Sequence, residues 1–271
     1  MRVSEWIGVG YLVYLLALLA VRPPGRRRQS VLLFGGTVLI VLPFVVGRLP
    51  ASRALDVVRP WLPLAYALFL YWLSGLFFRE PQEAMEARFI AFDRRVRERL
   101  GATGLARTSP RVVLELLEAA YFSGYLMPPA GMIVLVLCGR VDLADRFWST
   151  VLLAILGCYG ALPWIRTRPW WVLSPHNDID DRRLVARAVN LFFVHNTSTR
   201  ANTFPSGHVA GALATALAVA PVSRVAGAVF FVEAAAVAAG SVVGEYHYSG
   251  DALAGAAVAL AAWGVIGLLG V

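Results

Sequence analysis

The chain has 271 residues, 58% of them hydrophobic and 15% charged, and a mean hydropathy of +0.65. Its apolar runs are long enough to cross a bilayer, which excludes an ordinary soluble domain and makes it an integral membrane protein. The net charge of +8 comes from 25 basic residues, all arginine, which cluster between the apolar runs; that placement points to lipid headgroups or phosphorylated substrates and not to nucleic acid.

In chain order the apolar runs are 5 to 21, 31 to 47, 61 to 78, 112 to 138, 147 to 165, 206 to 221, 225 to 241 and 251 to 270. They predict an all-α polytopic membrane bundle of about eight transmembrane helices. The first run leads into "VRPPGRRRQ" without a small-residue cleavage site, so it is read as a retained helix. Trp6, Trp61, Trp72, Trp148, Trp164, Trp170 and Trp171 mostly lie near run ends, where indole rings meet headgroups. Residues 79–111 carry Met85, Phe89, Ile90 and Phe92 among many charges, the pattern of an amphipathic helix on the membrane surface. The stretch "ELLEAAYFSGYLMPPAG" at 115–131 reads as a kinked membrane helix with interfacial aromatics. Cys138 and Cys158 lie inside apolar runs and are expected as packing residues, with no disulfide framework and no metal site. Residues 166–205 form a long polar connection containing Arg166, Arg168, His176, Arg182, Arg183, Arg187, His195 and Arg200. A connection of that length is a place to look for function.

Two short motifs carry the chemistry. In "TRANTFPSGHVAGALA", 199–214, Pro205 suits the first turn of a helix, which leaves the amides of Ser206, Gly207 and His208 pointing out of its positive end. Such an end binds phosphate. Gly207 lets a ligand approach the backbone, Ser206 adds a hydroxyl donor, and His208 can hold or release a proton near neutral pH. In "GEYHYSGDALAG", 244–255, a helix beginning near Tyr248 sets His247 and Asp251 four residues apart on one face. The carboxylate then fixes the imidazole tautomer, frees the other nitrogen as nucleophile and stabilises the charged ring. Ionisable groups at membrane depth are costly, so these few polar residues in an apolar region mark a function.

These residues resemble the type-2 phosphatidic acid phosphatase superfamily of membrane lipid phosphatases and phosphotransferases. "PSGH" at 205–208 matches its second signature, and "HYSGD" at 247–251 the end of its third. The 39 residues from His208 to His247 leave room for the two helices that the family has between them. The resemblance implies a six-helix phosphatase-type catalytic core over 61–271, including the interfacial segment 79–111, preceded by two N-terminal transmembrane helices over 1–60. It also implies a phosphohistidine mechanism on a phospholipid or prenyl (di)phosphate. His208, His247 and Asp251 are then catalytic, with Ser206 and Gly207 at the phosphate and no cofactor or metal.

The chain also departs from the pattern. Ser241 stands where the third signature has arginine, and the first signature's lysine is missing, although "RTRPWW" at 166–171 keeps Arg168 and Pro169. A transferring phosphoryl group needs its charge neutralised, so Arg168 and Arg200, then Arg166, are the expected substitutes. The altered flanks look more like the branch related to inositol phosphorylceramide and sphingomyelin synthases. A different class stays open, a non-catalytic phospholipid-binding or transport protein holding its ligand in the same basic cavity; the family's soluble vanadium haloperoxidases are excluded by hydrophobicity. Arginine counts in alternate loops would put the site in the cytoplasm, whereas the resemblance implies an extracytoplasmic site, in the plasma membrane. The resemblance is followed here, because phosphate-binding arginines inflate the count.

Overall fold

The structure, a computed structural model, is described over residues 1–101, 104–173, 179 and 182–270. His176, noted in the polar connection, lies outside the described residues. Among those residues the fold is all-α, apart from one isolated antiparallel bridge between Thr167 and Asn202. The helices are α1 (Val3–Val21), α2 (Arg26–Arg48), α3 (Arg53–Val58), α4 (Leu62–Gly75), α5 (Glu83–Arg99), α6 (Leu105–Thr108) and α7 (Arg111–Ser123). They continue with α8 (Met127–Leu137), α9 (Ala144–Tyr159), α10 (Trp170–Leu173), α11 (Val185–Thr197), α12 (Gly207–Val219), α13 (Arg224–Val243) and α14 (Ser249–Leu268).

All eight apolar runs fall on helices. Among the described residues α1, α2, α13 and α14 are each long and apolar enough to span a membrane. The 20 residues of α14 reach about 30 Å at ~1.5 Å per residue, the thickness of the hydrocarbon core. The run 112–138 is not one helix but the pair α7 and α8, bent by 71°. Pro128 and Pro129 sit at the start of α8, where a missing amide costs little, so the chain turns just before them. With 16 and 13 residues, α9 and α12 are shorter than a bilayer, and both are largely buried inside the bundle.

The centre of the bundle is built on α9. One of its faces packs with α8, α12 and α14 through Met132, Phe147, Trp148, Val151, Ala210 and Ala259. On the other, Leu152 and Leu156 meet Leu12 and Leu15 of α1 and Tyr66 and Leu70 of α4. Lipid is as apolar as leucine, so small side chains and polar anchors must hold such helices together. Asp145, in the first turn of α9, is one such anchor: its carboxylate accepts from the amides of Val3 and Ser4, 2.9 Å each, and from Ser4 Oγ at 2.6 Å. Beside it Glu5 pairs with Arg59 at 2.9 Å. Cys158 is buried as expected; Cys138 is exposed at the end of α8, where that helix leaves the bundle.

The amphipathic segment forms α5, and its buried residues are acids. Glu86 and Asp93 are 4% and 7% exposed, whereas Phe92 is 45% exposed. Asp93 accepts from the Ser249 amide at 2.8 Å and from Arg97 Nε at 2.7 Å. Thus α5 is held across the start of α14 by hydrogen bonds, with Phe89 turned in against Phe204 and Tyr248 and Phe92 left to face outward.

Candidate active site

Helix α12 begins at Gly207, two residues after the proline that was expected in its first turn. Ser206 precedes its first residue and caps it, its Oγ accepting from the Val209 amide at 3.4 Å. Pro205 therefore lies outside the first turn. The Ser206 amide is not free: it donates to the backbone carbonyl of Asp251 at 2.9 Å, which ties the two motifs together directly. The amides of Gly207 and His208 keep the open first-turn positions. A Cβ on Gly207 would lie 2.7 Å from the ring of Tyr159, so the close neighbour at this glycine is that tyrosine.

The turn that carries His247 is made by the end of α13. The carbonyl of Ser241 accepts from the amides of both Tyr246 and His247, 2.9 Å each, and Glu245 adopts φ 62° between them. Helix α14 starts after Tyr248, as its spacing predicts, with Asp251 in its first turn. Asp251 Oδ2 accepts from the Tyr248 amide at 3.0 Å and lies 3.4 Å from His247 Nδ1. Both side chains are buried, at 5% and 0% exposure.

His208 and His247 line the same small cavity, their ring centroids 5.9 Å apart. His208 is stacked on Tyr121 at 4.9 Å and meets the edge of Tyr125 at 4.4 Å. Tyr121 is in turn stacked on Tyr246 at 3.9 Å, nearly parallel. Tyr71 and Tyr159 add two more phenols to the lining, and Ser198, Asn202 and Thr203 add neutral polar groups. His208 Nε2 is buried with no hydrogen-bond partner among the described residues. Asn202 is fixed by its bridge to Thr167, donating its amide to the Thr167 carbonyl at 2.7 Å.

No arginine is among the described residues that line this cavity. Arg168 lies beside it, with both guanidinium and amide turned to Glu86, at 2.8 Å, 3.0 Å and 2.7 Å. Burial alone would raise the Glu86 carboxyl, but Arg168 outweighs it and holds the group below its ordinary range. Arg200 is exposed, in a left-handed conformation with φ 57°, between the cavity-lining Ser198 and Ala201. Arg166 bonds Gln82 through its backbone. Sequence reasoning did not single out Arg187 of α11. It is buried, pairs with Glu118 at 3.0 Å, and donates to the Gly244 carbonyl at 2.8 Å, bracing the turn behind His247. Glu118 also accepts from Tyr246 Oη at 2.6 Å and Asn190 Nδ2 at 2.7 Å. An arginine set among apolar residues, in "LVARAVNLFFV" at 184–194, was a signal available in principle; its partners, 69 and 57 residues away in the chain, were not.

Fold and site together define an all-α integral membrane protein with a paired-histidine centre at the starts of two abutting helices. The PAP2 superfamily matches residues 89–265, well over half of the chain, and the chain belongs to that superfamily. Membership supports, in general terms, a phosphatase-type lipid enzyme acting on phosphorylated lipids in membranes. No curated protein and no solved structure matches the chain.

Proposed function

We propose that the protein is a lipid phosphatase or phosphotransferase that works through a phosphohistidine on a phospholipid or prenyl (di)phosphate. The observation that carries this reading is the pairing of His208 and His247 in one buried cavity, with Asp251 at His247 Nδ1. With Nδ1 turned to the carboxylate, Nε2 of His247 is the nitrogen left to attack phosphorus, and Asp251 stabilises the charge that develops on the ring. The bond from phosphorus to the ester oxygen breaks as the bond to nitrogen forms, and His208 gives the departing oxygen a proton. Water, or a lipid alcohol, then attacks the phosphohistidine while His208 takes its proton back. The 3.4 Å from imidazole to carboxylate is long for a catalytic hydrogen bond, and such contacts tighten when substrate binds.

The phosphate needs a cation as well as neutral donors. Arg200 is the first choice, since Ser198 and Ala201, on either side of it in the chain, line the cavity and its guanidinium has no partner among the described residues. Arg168 is the second, and would have to exchange Glu86 for phosphate. Ser206 shapes the phosphate-binding end of α12 as its cap, and the Gly207 and His208 amides supply donors there. Residues 61–271 are the catalytic core on this reading, and 1–60 an added pair of helices; the family match falls wholly inside that core. The active site faces the extracytoplasmic side of the plasma membrane.

Purified protein and its His247→Ala variant, assayed for phosphate release and headgroup transfer on phosphatidate, phosphatidylglycerophosphate, prenyl diphosphates and inositol phospholipids, decide the matter. Turnover of at least one lipid by the native chain, and its loss in the variant at unchanged helix content, is the expected result. Native chain that binds these lipids without cleaving any would instead make it a binding or transport protein.

A further inference from the structure

On the outward side of α5, away from the histidines, lies a groove of about 770 Å³. Its walls are Met85, Phe89 and Phe92 of α5 and Gly250, Leu253 and Ala254 at the start of α14. Phe204 closes the inner end. We propose that this groove holds one anionic membrane phospholipid as a resident, non-reacting ligand, with an acyl chain on the apolar floor and the phosphate between Arg88 and Arg95.

Charge and position identify the occupant. Arg88 and Arg95 are the charged members of an otherwise apolar lining. Both are exposed, and neither has an ion-pair or hydrogen-bond partner among the described residues; by contrast Arg97 and Arg168 are held by Asp93 and Glu86. Seven residues is two helical turns, so the two guanidinium groups rise from the same side of α5, about 10 Å apart along its axis. Phe92 lies between them on that side, one turn from each. A site with a long apolar floor and two unpaired cations at its rim is complementary to an amphiphile with an anionic head. The groove's size falls within the ~300–1,000 Å³ of ordinary ligand pockets.

Its location supplies the lipid. Leu253 is 63% exposed on a helix that spans the membrane, one turn inside its start. The mouth therefore lies where α14 leaves the hydrocarbon, at the level of glycerol and phosphate groups. No residue lines both this groove and the histidine cavity. An aromatic layer divides them: the Phe89 ring stands 4.8 Å from Phe204 and 5.8 Å from Tyr248. A lipid headed by Arg88 and Arg95 thus has its phosphate on the wrong side of that layer to react. What it does instead is fill the space between α5 and α14. Because α5 also carries Asp93 against Ser249 and Glu86 against Arg168, occupancy bears on how firmly the start of α14 is seated.

The test reads binding and not turnover, so its result is separable from that of the catalytic reading. Full-length protein is delipidated in detergent, offered dioleoyl phosphatidylglycerol or dioleoyl phosphatidylcholine, and weighed by native mass spectrometry. The native chain should retain one phosphatidylglycerol in preference to phosphatidylcholine. Arg88→Gln with Arg95→Gln should weaken that retention roughly 30-fold. Ala254→Phe, which fills the floor and keeps both arginines, should also lose it, and this variant decides the matter if the double variant fails to fold. Equal retention of the two lipids by the native chain, or undiminished phosphatidylglycerol retention in Ala254→Phe, overturns the proposal.

Discussion

Position 241 shows how a departure from a family pattern becomes intelligible in three dimensions. The third signature has an arginine there, yet Ser241 is 0% exposed and its carbonyl receives the amides of Tyr246 and His247. Its Oγ donates to the Ala238 carbonyl at 2.8 Å, so neither end of the residue is free to meet phosphate. Restoring the family residue with Ser241→Arg should therefore harm the protein: an unpaired buried charge costs several kcal/mol, and no room exists for the side chain. Thermal unfolding in detergent should show a lowered midpoint and activity should fall; a variant with raised activity would mean that the cavity lacks a cation that only this position supplies. At this scale the sequence disclosed pairs that are close along the chain. The four-residue spacing of His247 and Asp251 was legible because a helix start converts it into contact. The tyrosine sandwich around His208 was not, since Tyr121 and Tyr125 come from another helix and only its bend presents both. For the same reason Arg168 could be named from its motif while its partner Glu86, 82 residues earlier, could not.

Among the elements, the decisive junction is the one where α12 and α14 begin. A Cβ on Gly255 would lie 2.5 Å from the Ser206 carbonyl oxygen, a backbone atom that cannot swing aside. Gly255→Ala should push the two helix starts apart and separate His247 from His208, lowering turnover by roughly 100-fold for a shift of about 1 Å. Gly264→Ala, farther along α14 with nothing within 4 Å of its Cβ, is the matched control and should leave turnover unchanged. Equal effects in the two variants would mean that the junction does not set the geometry. The other junction, α5 on the core, is electrostatic and therefore sensitive to pH. The Glu86 carboxyl is held below its ordinary value of 4.5, so its contribution is fully present above that value and is lost as pH falls through the lowered one. The protection of the α5 amides against hydrogen exchange, taken relative to the intrinsic rate at each pH from neutral down through the carboxylate range, should fall at the acid end in the native chain. Glu86→Gln should lower that protection already at neutral pH, and unchanged protection there would show that Asp93 and the remaining contacts hold α5 without Glu86. Helix existence was legible here because apolar length is a strong signal. The outward Phe92 fits the surface helix that the charge pattern predicts; not legible was that Glu86 and Asp93 would be the residues buried, because their partners Arg168 and Ser249 are distant in the chain.

For the whole molecule, the side of the membrane that the cavity faces fixes where the ends of the bundle lie. Tyr159 at the end of α9 lines that cavity, while Asp145 at the start of α9 caps the first turn of α1, so Val3 lies at the end of the bundle away from the site. Helix α14 begins at the site and runs its full length away from it, so Leu268 lies at that far end too. A site outside the cytoplasm therefore goes with both of these ends inside it. The arginines argue the other way only if they are free to report topology, and several are committed to the fold instead: Arg97 to Asp93, Arg168 to Glu86 and Arg187 to Glu118. Cysteine labelling separates the alternatives, because Cys138 is exposed at the end of α8, near the start of α9, and Thr197 is exposed at the end of α11, next to the cavity-lining Ser198. In a Cys158→Ala background, Cys138 alone and Thr197→Cys alone (with Cys138→Ala) report opposite faces. On intact cells a membrane-impermeant maleimide should modify position 197 and leave Cys138 untouched until lysis. The reverse pattern would put the histidines in the cytoplasm, and would make the arginine-rich side of the chain an ordinary positive-inside face.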